Sequence, residues 1–101
     1  MSADDAFESL AAAALGTAGV TRRTMFGRDT LLADGHPFAF RDADRVALKL
    51  PDAADRVAAG EGTVPRMGNR AMRRWISIPA SISATERLEI ARRFVTSRNA
   101  P

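Results

Sequence analysis

Four arginines within nine residues, Arg66, Arg70, Arg73 and Arg74, lead directly into the chain's single tryptophan, Trp75, with Met67 and Met72 interleaved. No acid stands between Glu61 and Glu86, so the stretch makes a positive local potential whatever surrounds it. Such a cluster can neutralise phosphates and an adjacent indole can stack on a base, which fits a nucleic-acid footprint. The structural alternative is that Trp75 covers the edge of the core while the arginines are solvated or paired with acids of the first half. A single aromatic is a poor stacking platform, and this favours the structural alternative. A second basic pair, Arg22 and Arg23, precedes Met25-Phe26-Gly27. Its guanidinium groups could meet an anionic ligand beside a glycine that lets a backbone approach. The simpler expectation is that Met25 and Phe26 plug the core and Gly27 permits a turn.

Other side chains give less. His36 is the only histidine and falls in a turn, whereas a metal site needs several ligands converging. Asp34, Asp42, Asp44 and Asp52 stand in turns or at a helix cap, where aspartate serves by bonding its own backbone; Asp29 is the exception. Ser77, Ser81 and Ser83 lack the partners of a nucleophile, no glycine-rich phosphate motif is present, and there is no cysteine. The sequence therefore predicts no catalytic residue, no cofactor and no metal, and a protein that is not an enzyme.

A chain of 101 residues, 46% apolar and 27% charged, fits one soluble domain spanning residues 1–101. No run approaches a membrane span, and the start Met1-Ser2-Ala3-Asp4-Asp5 is acidic where a secretory signal would be basic; the expected location is the cytoplasm. The net charge of +3 is unevenly spread. Residues 1–61 hold ten acids and seven bases, and residues 62–101 hold two acids and eight bases.

Elements that could position these groups follow from periodicity. Thr30 to Ala33, Pro37 to Phe40 and Arg45 to Leu50 are short apolar runs separated by Asp34-Gly35-His36 and Arg41-Asp42-Ala43-Asp44, the pattern of an antiparallel meander. Alternation puts Phe38 and Phe40 on one face, and Val46, Leu48 and Leu50 opposite Arg45, Ala47 and Lys49, with one face dry and the other wet. A first helix is expected over Ala3 to Leu15, started by Ser2. A short one follows Pro51, with Asp52 as N-cap and Gly60 as stop, then a turn-rich loop over Glu61 to Pro65. Trp75 to Pro79 reads as an edge strand. Ser83 with Glu86 reads as a capping box for a last helix running to about Ser97, with Arg92, Arg93 and Arg98 in or beyond its last turns.

The order of Val20, Arg23, Met25-Phe26-Gly27, the Asp34-Gly35 hairpin, an aromatic strand, Leu48-Lys49-Leu50, Met72 and Trp75-Ile76-Ser77-Ile78-Pro79 resembles the N-terminal domain family of the competence regulator TfoX (Sxy). The resemblance covers about residues 5–95. Family members commonly carry further glycines after the Phe-Gly pair, where this chain has Arg28-Asp29-Thr30, and the helical second half of full-length TfoX has no counterpart here. It implies an α+β fold of order α-β-β-β-α-β-α, with an antiparallel sheet of four or more strands flanked by helices. It also implies a regulatory module working through contacts with another protein or with a second copy of itself. The alternative is nucleic-acid binding through Arg66 to Arg74, and a third is a subunit whose enzymatic site forms only with a partner. The candidate surface is Arg22, Arg23, Arg66, Arg70, Arg73, Arg74 and Trp75, with Met25, Phe26, Gly27, Asp34 and Gly35 as structural motif residues.

Overall fold

A computed structural model describes residues 3–97. Helix α1 (Ala3–Leu15) leads into a four-strand meander, β1 (Val20–Met25), β2 (Arg28–Ala33), β3 (His36–Asp42) and β4 (Arg45–Lys49). Helix α2 (Ala53–Ala58), a hairpin of β5 (Arg66–Met67) and β6 (Arg70–Ala71), strand β7 (Trp75–Pro79), a 3-10 turn (Ile82–Ala84) and helix α3 (Thr85–Ser97) follow. The main sheet is antiparallel throughout, in the order β1-β2-β3-β4-β7, and the expected α+β architecture is observed. No helix of the described residues is long and apolar enough to cross a membrane.

Two turns set the meander. Asp34 (φ 51°) and Gly35 (φ 83°) form the tight connection between β2 and β3, with positive φ at both central residues as a primed hairpin turn requires. Phe26 (φ 53°) and Gly27 (φ 76°) repeat that geometry between β1 and β2. The meander therefore has one strand more than the three apolar runs suggest. Its edge strand β1 is mostly polar, so apolar alternation alone does not reveal it.

The core lies on one face, where α1 (Phe7, Leu10, Ala11, Ala14) and α3 (Leu88, Ala91, Val95) cover Leu31, Phe38, Val46, Leu48, Ile76 and Ile78. Burying each large aliphatic or aromatic side chain is worth about 1.5–3 kcal/mol before chain entropy is counted. The opposite face is not simply wet: Phe40, Ala47 and Trp75 form a second apolar cluster with Met72 against it. Phe38 and Phe40 consequently point to opposite faces, contrary to strict alternation. The pairing slips between Leu31 and Leu32, so that Leu31 faces Ala39 but Leu32 faces Pro37, and the extra residue of β3 turns Phe38 into the main core beside Ala39.

Other local expectations are corrected. Asp52 does not cap α2, because its carboxylate accepts a 2.8 Å bond from Arg56 Nε one turn on. Gly60 does end that helix. The Glu61 amide bonds the Arg56 carbonyl and the Gly60 amide that of Val57, each at 3.0 Å, which is the Schellman arrangement around a left-handed glycine. Ser83 lies within the 3-10 turn and its hydroxyl meets that of Ser81 at 2.6 Å, so α3 begins at Thr85 without the expected capping box. The last turn of α3 holds no base; Arg92 and Arg93 sit earlier and bond Glu89. Ser2 and Arg98 lie outside the described residues.

Candidate functional site

The register of the sheet decides which candidate residues meet. Arg22, on the helix side of β1, is drawn into a polar cluster under α1. It donates from Nε to Asp29 at 2.8 Å and to both carboxylate oxygens of Glu8 at 2.6 and 2.9 Å, and its guanidinium lies 5.8 Å from the Phe7 ring centre. Arg41 stands over the same ring at 4.7 Å and reaches Glu8 at 3.3 Å. These cations hold the carboxylates of Glu8 and Asp29 below their ordinary range, in each case chiefly through the bond from Arg22. Arg22 thus fastens the first helix to the sheet.

A carboxylate whose pKa is depressed by folding stabilises the native state above its unfolded value, and that contribution is lost as pH falls through the folded value. Lowering pH from 7 to about 3, past the ordinary carboxylate range, should therefore destabilise the protein. Arg22→Met should lose less on the same change, having less of this contribution to surrender. Urea denaturation of both proteins at the two pH values checks it; equal losses would show that the cluster carries no pH-dependent stability.

The other face gathers different residues. Arg23 and Met25 on β1, Arg28 and Thr30 on β2, Phe40 on β3, Ala47 on β4 and Trp75 on β7 share this side by register. Trp75 is 9% exposed, its ring 5.1 Å from that of Phe40 and tilted by 51°. The indole is thus part of the second cluster, largely covered, with only a small part of it open to solvent. Arg28 lies 5.0 Å above Phe40 and is held by Asp42 at 3.2 Å and by the Arg66 carbonyl at 3.0 Å, which ties the β5–β6 hairpin to the sheet. Asp42 also accepts from Ser77 Oγ at 2.7 Å, and Ser77 in turn accepts from Arg45 Nε at 3.1 Å. Asp42 is therefore already engaged.

Between the Phe26-Gly27 turn and the hairpin runs an open groove of about 110 Å³. It is lined by Met25 and Phe26 at the β1–β2 turn, by Thr30, Pro37, Phe40 and Trp75 of the sheet, and by Met67 and Met72 at the hairpin, with Arg28 the charged residue of the lining. Met67 pairs with Arg70 across the hairpin, so Arg70 stands on the same side of that ribbon as the groove wall. Among the described residues neither Arg23, Arg66, Arg70, Arg73 nor Arg74 forms an ion pair. Arg73 and Arg74 lie beyond the end of the groove, near Pro51 and Phe94.

Phe26 corrects the expectation of a core plug. It is 82% exposed, because a residue at the tip of a two-residue turn projects beyond the sheet instead of onto either face. Phenylalanine at φ 53° is also unusual, since a bulky side chain crowds its own backbone in the left-handed region. Sequence patterning placed a turn at Gly27 but left Phe26 in the core before it; Phe26 becomes the first central residue of that turn only once the polar β1 is read as a strand paired with β2, the signal being the X-Gly pair seen also at Asp34-Gly35. His36 is exposed at the start of β3, and among the described residues no three metal-ligating side chains converge. No protein-family model matches the chain, and no curated protein matches it.

Proposed function

We propose that the chain is a non-enzymatic binding module, of the TfoX N-terminal type that its motif order resembles, and that it works by protein contact through the groove face. The carrying observation is Phe26: a large apolar side chain, 82% exposed and held at an unfavourable φ, beside a methionine-lined groove. Strain of this kind persists where the surroundings impose it and is found preferentially at contact sites. Methionine side chains suit such a surface because they adapt to partners of different shape. A role in transcriptional or competence-type regulation follows from the resemblance and gives the module its setting, in the cytoplasm.

Nucleic-acid binding is the second reading, supported by Arg66, Arg70, Arg73 and Arg74, none of which forms an ion pair among the described residues. It is disfavoured by the burial of Trp75, which removes the one indole from use as a base platform. Capture of native complexes with the wild type and with a Phe26→Asp, Met67→Asp variant separates the two. A partner that survives nuclease and is lost in the variant supports protein contact. Complexes that dissolve on nuclease treatment, or that the variant retains, count against it.

A further inference from the structure

The groove is apolar along its length, yet the residues around it are cationic. Arg23 follows the Met25 wall two residues back along β1, Arg70 accompanies Met67 on the hairpin, and Arg28 lines the groove itself. Asp42 beneath them is taken up by Arg28 and Ser77. An occupant must therefore offer an apolar group for the groove and negative charge for its borders. The volume of about 110 Å³ is of the same order as the roughly 150 Å³ cavity that binds one benzene ring, so the groove, open on one side, suits one apolar side chain rather than a run of stacked bases.

Resting on the binding reading above, we infer that the groove receives a single large apolar side chain from an acidic protein segment, with carboxylates on either side of that anchor meeting Arg23 and Arg70. A nucleic acid would satisfy the arginines but would leave the methionine walls without an apolar counterpart. An uncharged apolar segment would satisfy the walls and leave the two guanidinium groups without a carboxylate partner. Only the acidic segment with one anchor satisfies both.

Trp75 lines the groove and is the only tryptophan, so its fluorescence reports occupancy directly. Random peptides lacking tryptophan, displayed as a library, are selected on the wild-type chain. The enriched peptides are then titrated against wild type, an Arg23→Glu, Arg70→Glu variant and Phe26→Asn, each first shown to be folded by circular dichroism. The expected result is enrichment of peptides with one aromatic or large aliphatic residue between Asp or Glu residues. They should shift Trp75 emission and bind about tenfold or more weakly to the double arginine variant. Neutral or basic peptides that shift Trp75 and depend on Phe26 would overturn the acidic class while leaving the groove as a protein-binding site. Failure to enrich any peptide dependent on Phe26 would overturn both. Stronger response of Trp75 to oligothymidylate than to any acidic peptide would overturn the inference in favour of nucleic acid.

Discussion

Trp75→Ala is expected to destabilise the protein by about 3–5 kcal/mol, the usual cost of truncating a large buried aromatic. The indole packs on Phe40 at 5.1 Å and, with Ala47, makes up the second cluster, so its loss opens a cavity beneath Met72, the residue that follows the β5–β6 hairpin. Trp75→Phe keeps an aromatic contact and should cost less than half as much. Urea unfolding followed by circular dichroism measures both without relying on the deleted fluorophore. A loss below about 1 kcal/mol for the alanine variant would mean that the ring is not integral to folding, and would restore it as a stacking surface.

Gly62→Ala is expected to cost about 3 kcal/mol, for a steric reason. A Cβ at that position would lie 2.4 Å from the Ser77 carbonyl oxygen, 2.8 Å from a side-chain carbon of Ile76 and 2.9 Å from one of Ile78. Relief requires the chain to move away from β7, breaking the pair of bonds between Thr63 and Ser77 at 3.0 and 2.7 Å that covers this outer strand. Overpacking and lost buried hydrogen bonds then add. Gly68→Ala is the informative contrast: its φ of +61° is mildly strained for alanine, but no atom lies within 4 Å of the added carbon. It should cost no more than about 1 kcal/mol. Equal losses at the two positions in thermal unfolding would show that the bridge at Thr63 is unimportant.

The central strands were legible because their residues follow period two and the Asp34-Gly35 pair can hardly serve anything but a tight turn. The first and last helices were legible from their apolar stripes, and the short α2 from its stop at Gly60. Four features escaped for separate physical reasons. Strand β1 is an edge strand whose exposed Thr21, Arg23 and Thr24 hide the alternation. The bulge opposite Leu31 and Leu32 depends on pairing, which no single strand encodes, and it sends Phe38 and Phe40 to different faces. The roles of Arg22 and Arg23, adjacent in sequence, diverge because neighbouring residues of a strand face opposite sides: one is bound to Glu8 and Asp29, the other stands on the groove side. The basic segment was legible as charge but not as the β5–β6 hairpin that converts Met67 into a groove wall. Composition could place the cations; only the sheet register shows which of them share a surface.

If Phe26 is held for contact, it is held at a cost to folding that Phe26→Asn should relieve. Asparagine tolerates the left-handed conformation that phenylalanine resists, and little apolar burial is forfeited at a residue 82% exposed. Urea denaturation of the variant beside the wild type should show stability raised by about 1 kcal/mol. A loss of more than about 1 kcal/mol would contradict the account, because it would place Phe26 among the residues that hold the fold together.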